Sequence, residues 1–288
     1  MNGADALLGT LVASGVEVCF ANPGTSEMQL VAAIGNTGSM RPVLCLFEGV
    51  ASGAADGYGR MADKPAITLL HVGSGFANSL ANLHNARRAG APLVNIVGDH
   101  ASYHLQYDAP LTSDLPALAD WASAWTHVAR SPDDLAAAGA AAVAEAQAEN
   151  GRIATVVVPA DHAWNPANGA APVQPPPAAP AVPAETIAQT AERLKSGRPA
   201  VLFLGGRALR EENLHRLGQI AAATGARLVC QVFPARLQRG AGRVAVERLP
   251  YFAEQAMETL AGTEHLVLVG APAPVSFFAY PDKASWLA

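Results

Sequence analysis

The stretch Arg41-Pro42-Val43-Leu44-Cys45-Leu46-Phe47-Glu48-Gly49-Val50-Ala51-Ser52-Gly53-Ala54-Ala55-Asp56-Gly57-Tyr58-Gly59-Arg60-Met61 passes from a short apolar run, through one carboxylate, into a helix start made of small residues. An apolar run this brief, bounded by turn signals, reads as a buried strand from Arg41 to Phe47. Glu48 then stands at the carboxyl end of that strand, where ligands bind in open α/β sheets. A carboxylate in such an apolar setting is suited to exchanging a proton. Gly49, Gly53 and Gly57 follow at a spacing of four, and each costs a helix interior roughly 0.5–1 kcal/mol relative to Ala. Close approach of another group to that face is therefore expected. The plainer role for Glu48 is that of a first-turn acid facing the positive end of the helix dipole.

Two neighbouring segments repeat the plan. The strand Val16 to Ala21 leads into Asn22-Pro23-Gly24-Thr25-Ser26-Glu27, a turn in which Thr25 or Ser26 can cap a helix that continues through Met28, Leu30 and Val31. The strand Ala66 to Leu70 leads through His71-Val72 into the glycine-rich turn Gly73-Ser74-Gly75 and a helix from Phe76 to Arg88. Three strand ends thus deliver a threonine, a glutamate and a histidine. Asn78, Asn82, His84 and Asn85 on that helix read as facing solvent or a dimer partner.

Composition fits an α/β protein with more than one unit. The 288 residues are 50% hydrophobic and 15% charged with a formal net charge of −5, a balance that gives no sign of nucleic-acid affinity. The N-terminus lacks a basic region before an apolar run, so no signal peptide is expected, and no apolar stretch is long enough for a membrane span. Cys19, Cys45 and Cys230 lie in apolar runs and read as buried free thiols in a reducing cytoplasm. The eight histidines show no metal-ligand spacing. After the strand Ile153 to Pro159, the proline-rich segment Asn165 to Ala184 reads as a linker. A second α/β pattern follows, with strands at Ala200–Leu204, Arg227–Val232 and His265–Gly270 and helices at Glu185–Ser196, Glu212–Thr224 and Tyr251–Leu260. The expected architecture is two Rossmann-like parallel-sheet domains, residues 1–164 and 185–288, joined through 165–184.

Taken in order, the N-P-G-T turn, the E-x-x-A-x-x-x-A-D-G-Y-x-R run and the Gly73-Ser74-Gly75 turn resemble the pyrimidine-binding domain of thiamine-diphosphate-dependent enzymes. The likeness is to the branch of acetolactate synthase large subunit and benzoylformate decarboxylase, and it covers residues 1 to about 162. It implies thiamine diphosphate as cofactor, with Glu48 bonding N1′ of the aminopyrimidine ring and acting in cofactor activation. Gly24, Gly73, Ser74 and Gly75 would border the cofactor. Thr25 and His71 match positions that hold a serine and a histidine facing the substrate in the benzoylformate decarboxylase branch, so they would bind a 2-oxo acid, with His71 also catalytic. The acetolactate synthase branch usually has glycine at the Thr25 position and lacks the His71 imidazole, a departure that bears on carboligation.

The second unit resembles the central domain of the same enzymes, which holds FAD in acetolactate synthases. Gly205-Gly206-Arg207 lacks the full G-x-G-x-x-G pattern and the acid expected after the next strand, so FAD is unsupported and a structural turn is expected. No Gly-Asp-Gly occurs in the sequence. In the family that motif holds the diphosphate through Mg²⁺ on another domain. The expectation is therefore the N-terminal part of a longer enzyme, with half of each site, inactive alone and completed in a dimer or tetramer. Two other readings stand beside a decarboxylase/carboligase: a simple benzoylformate-decarboxylase-like enzyme, and a non-catalytic assembly chain using the Gly49/Gly53/Gly57 face.

Overall fold

A computed structural model describes residues 1–279 and 281–287. The chain forms two compact units, Met1–Ala179 and Pro180–Ala288. In the first, the elements run α1 (Gly3–Ala13), β1 (Val18–Asn22), a 3-10 turn over Thr25–Glu27, α2 (Met28–Thr37), β2 (Arg41–Leu44), α3 (Glu48–Ala62), β3 (Ala66–His71) and α4 (Val72–Ala89). They continue through β4 (Leu93–Asp99), α5 (Leu115–Ala122), β5 (Trp125–Val128), α6 (Pro132–Ala146), β6 (Ile153–Pro159) and α7 (Ala160–Trp164). All six strands are parallel, in the order β2-β1-β3-β4-β6-β5. From β1 the chain goes outward to β2 and then back across to β3. The crevice beyond the carboxyl ends of β1 and β3 is therefore a topological switch point, the place where open parallel sheets bind ligands.

Alternation along the central strands feeds two cores. Ile67, Leu69, Val94 and Ile96 pack toward α1, α2 and α6, whereas Ala66, Leu70, Leu93 and Val97 pack toward α3, α4 and α5. A fully buried polar row fixes register between them. Thr68 Oγ1 donates to Asn95 Oδ1 at 2.7 Å, and Asn95 Nδ2 donates to Thr155 Oγ1 at 2.9 Å. Each buried polar group finds its partner in one alignment only, because a slip of one residue would send every side chain to the other face.

Several expectations are corrected. The strand expected over Arg41–Phe47 ends at Leu44 and is not buried, because β2 is the outermost strand; Leu44 and Leu46 are 74% and 92% exposed. Thr25 and Ser26 cap nothing with their side chains. The presumed turn Gly73-Ser74-Gly75 is the first turn of α4, which starts at Val72, directly after the last residue of β3. The glycine face of α3 is only partly a contact. Gly49 lies against the Phe47 ring and Gly53 against Asn82, while Gly57 faces open space.

Residues 165–171 lie along the first unit. Gly3 N donates to the Asn165 carbonyl at 3.0 Å, and Ala171 N donates to Thr10 Oγ1 at 2.8 Å. The second unit holds α8 (Ala184–Lys195), β7 (Ala200–Leu204), α9 (Glu211–Thr224), β8 (Arg227–Cys230), β9 (Glu247–Arg248), α10 (Ala253–Leu260) and β10 (His265–Val269). Its sheet is parallel in the order β10-β7-β8-β9. Gly205 is small because a Cβ there would stand 2.6 Å from the Gly270 carbonyl oxygen. The residues after it form a 3-10 turn, and α9 opens on Glu211 and Glu212, two charges that would repel a phosphate at that helix end.

All three cysteines are free and buried. Burial, with the neighbouring Cys45 sulfur adding to it, pushes the Cys19 thiol up to about 12. A thiolate is the reactive form. A disulfide reagent at pH 8 is therefore expected to leave all three unreacted in the folded protein and to titrate them only on unfolding. Prompt reaction of Cys19 under native conditions would contradict this packing.

Candidate active site

At the switch point the chain leaves β1 through Asn22, whose Nδ2 donates to the Cys45 carbonyl at 2.9 Å and ties this turn to the segment after β2. The 3-10 turn that follows brings Glu27 back beneath the strand ends. Its Oε2 accepts the Gly24 N–H at 2.7 Å and lies 2.8 Å from His71 Nδ1. Glu27 is fully buried, and its other oxygen, Oε1, has no hydrogen-bond partner among the described residues. Burial pushes its carboxyl above the ordinary range, opposed by the Gly24 N–H and by His71. Two glycines make room for this pair. A Cβ on Gly98 would stand 1.8 Å from Glu27 Oε1, and one on Gly24 would stand 2.4 Å from His71 Nδ1.

His71 ends β3, and the chain enters α4 with no loop residue between. The turn is made at Val72, a buried β-branched residue held at φ 39°. Such a conformation costs about 1–3 kcal/mol and persists only where surrounding packing imposes it. The imidazole is thereby fixed from both sides, by backbone at Val72 and by the carboxylate of Glu27.

Glu48 is the first residue of α3, half-buried, and its Oε2 accepts from Asn78 Nδ2 of α4 at 2.9 Å. Asn82, one turn on, donates to the Gly49 carbonyl at 2.6 Å. Asn78 and Asn82 thus tie α4 to the start of α3; Asn82 is half-buried, while Asn78, His84 and Asn85 are exposed, in line with the expectation that they face outward. His84 stacks near Trp121, with centroids 6.3 Å apart. Gly75 lies between the two candidate groups: a Cβ there would be 3.0 Å from Glu48 Oε1 and 3.4 Å from His71 Cβ. Gly73 instead makes room for Ser113, from the segment after β4, which a Cβ would meet at 2.1 Å. Ser74 and Thr25 are exposed at the rim.

The structure therefore gathers Glu48, His71, Gly24 and Gly75 at one place and adds Glu27 and Asn78. Glu27 carried a readable signal, since an acid three residues after Gly24 has the spacing of a capping box, and its side chain does reach back to the Gly24 amide. What that spacing could not show is that His71 shares the same oxygen.

Residues 1–119 match the family of the thiamine pyrophosphate enzyme N-terminal TPP binding domain. Over these residues the chain is similar to the N-terminal domain of thiamine-diphosphate-dependent enzymes. It is 53% identical over 285 residues to a Mycobacterium tuberculosis protein provisionally named as an acetolactate synthase large subunit, IlvX, covering 99% of this chain and 55% of that one. The chloroplastic acetolactate synthase of Arabidopsis thaliana is 38% identical over 96 residues, 33% of this chain and 14% of that protein. In fold, the chain matches the thiamine diphosphate-dependent 4-hydroxybenzoylformate decarboxylase of Rhodococcus jostii RHA1 with a TM-score of 0.86 at 22% identity, covering 98% of this chain and 54% of that one. The chain spans about half the length of the M. tuberculosis relative.

The site suits the cofactor of this family. Glu48 Oε1 accepts no hydrogen bond from the described residues and borders a backbone position without a side chain, so a ring N–H can reach it. Among the described residues no group of three His, Cys, Asp or Glu side chains could hold a metal ion, and no helix is long and apolar enough to cross a membrane.

Proposed function

We propose that this chain supplies the pyrimidine-binding half of a thiamine diphosphate site that decarboxylates a 2-oxo acid and, as in acetolactate synthases, joins the product to a second carbonyl compound. The observation that carries this reading is the placement of Glu48 and His71 on either side of Gly75, at the switch point of the sheet. When bound, the cofactor supplies the carbon nucleophile and electron sink that such decarboxylation needs. The protein's part is to hold and move protons. Glu48 holds a proton at Oε1, with Asn78 fixing the other oxygen. His71 offers a ring nitrogen able to give or take a proton. Thr25, at the rim, is placed to bond the substrate carboxylate, and Gly24, Gly73, Ser74 and Gly75 form the wall on which the cofactor lies.

The diphosphate and its Mg²⁺ would be held by residues outside this chain, and the complete site would form in a dimer or tetramer. Buried, reduced cysteines support a cytoplasmic setting. FAD has no support from α9, whose first turn is acidic.

A second reading, simple decarboxylation, is favoured by His71 itself, since an imidazole at the site can protonate the product carbon and end the reaction there. The test is to supply the purified protein, together with the diphosphate-binding partner, with thiamine diphosphate, Mg²⁺ and either pyruvate or benzoylformate, then analyse products. A 2-hydroxy-3-oxo acid or acyloin establishes carboligation, and an aldehyde alone establishes simple decarboxylation. No product and no cofactor binding, with the diphosphate-binding partner present, leaves an assembly chain and refutes both.

A further inference from the structure

We propose that Glu27 is a positioning residue that holds His71 in the tautomer carrying its proton on Nδ1, leaving Nε2 as the bare nitrogen available to a ligand. The use of that nitrogen in catalysis rests on the function proposed above, whereas the pairing itself does not.

The geometry leaves little choice. Glu27 Oε2 already accepts the Gly24 N–H at 2.7 Å, and a protonated carboxyl oxygen is a poor acceptor. The two short contacts fit an unprotonated Oε2 that accepts from both nitrogens, whatever the state of Oε1. In that arrangement His71 Nδ1, at 2.8 Å, is the donor. No other described group bonds the ring, and the side chain is 21% exposed, so solvent or a ligand reaches the imidazole while Glu27 stays sealed at 0%. A free imidazole side chain in water favours the opposite form, with the proton on Nε2. Glu27 reverses that preference, in the way a buried carboxylate orients the histidine of a hydrolase triad.

Three further features show that the ring is held in place. Gly24 has no side chain where the imidazole lies, Gly98 has none where the carboxylate lies, and Val72 keeps a strained φ of 39° immediately after His71. A histidine free to rotate would need none of these. Among the described residues no other acid bonds Nδ1. Glu48 Oε2 is taken by Asn78, and Asp99, at the end of β4, accepts from the His100 N–H.

The experiment is nitrogen-15 NMR of His71 in the purified protein without cofactor, assigned by loss of its signals in His71→Asn. Nδ1 is expected to be protonated and Nε2 bare in the neutral ring. Glu27→Gln, which keeps an oxygen acceptor, is expected to retain that tautomer. Glu27→Met, which fills the space without an acceptor, is expected to return the ring to the Nε2-protonated form. Nε2 protonation in the unmodified protein overturns the proposal by itself, even if the Met variant does not fold. An unchanged tautomer in a folded Met variant overturns it too. Turnover of the complete holoenzyme separates this from the functional reading. A switched tautomer with kcat down about 10²-fold or more supports both. A switched tautomer with turnover unchanged leaves the pairing standing and removes His71 from the chemistry.

Discussion

Glu48→Gln is expected to abolish exchange of the cofactor's C2 proton in the complete holoenzyme, lowering turnover by about 10²–10⁴-fold, the usual contribution of a positioned acid or base. The reason is local. Gln keeps the size of the side chain and an oxygen able to accept from Asn78 Nδ2, so α3 and α4 remain tied and the fold is retained. What is lost is the proton affinity at Oε1, the oxygen that no described group of the chain engages. Glu48 also lies at the first position of α3, where the positive end of the helix dipole favours negative charge. A purely capping carboxylate would therefore show a different result: slight destabilisation, on the order of 0.3–1 kcal/mol, with proton exchange intact. Hydrogen–deuterium exchange at C2, followed by proton NMR in the holoenzyme, separates the two. Undiminished exchange in the Gln variant removes Glu48 from the chemistry.

The second large effect is expected at Gly98, a residue in a central strand with no apparent ligand role. A Cβ there would stand 1.8 Å from Glu27 Oε1 and 2.5 Å from its Cδ, too close for either to remain. Glu27 is fully buried, so Gly98→Ala displaces the side chain and breaks its bonds to Gly24 and His71. Overpacking of this kind costs about 1–3 kcal/mol, against which the gain from a less flexible unfolded chain, about 0.4–1 kcal/mol, is small. Urea unfolding should therefore show a lower midpoint. The same substitution made in a Glu27→Ala background should cost much less, because the obstructing atoms are gone. Residues in direct contact depart from additivity in this way. Equal costs in both backgrounds would show that Gly98 is required for a reason other than the carboxylate.

How much of this was legible beforehand depends on what each feature needs. The strand–turn–helix repeats, the parallel sheets and the placement of His71 at a strand end follow from short-range pattern, and the N-P-G-T and E-x-x-A-x-x-x-A-D-G-Y-x-R motifs pointed to the family. Those signals are local in the chain, so sequence carries them. The sequence failed where an answer depended on neighbours far along it. The apolar run Arg41–Phe47 looked like a buried strand, but burial depends on strand order, and β2 has a neighbour on one side only. Gly73-Ser74-Gly75 looked like a turn because glycine disfavours helix. In the fold the close approach of Ser113 and Glu48 makes glycine necessary within the helix itself.

The sequence by itself determined the α/β class and the two units, because hydrophobic period and turn chemistry act within a few residues. Only the tertiary structure decided that Glu27, 44 residues from His71 in the chain, would lie within hydrogen-bond distance of it. That pairing exists because parallel strands β1 and β3 lie side by side and end at the same level, and because Gly24 and Gly98 leave the space between them open.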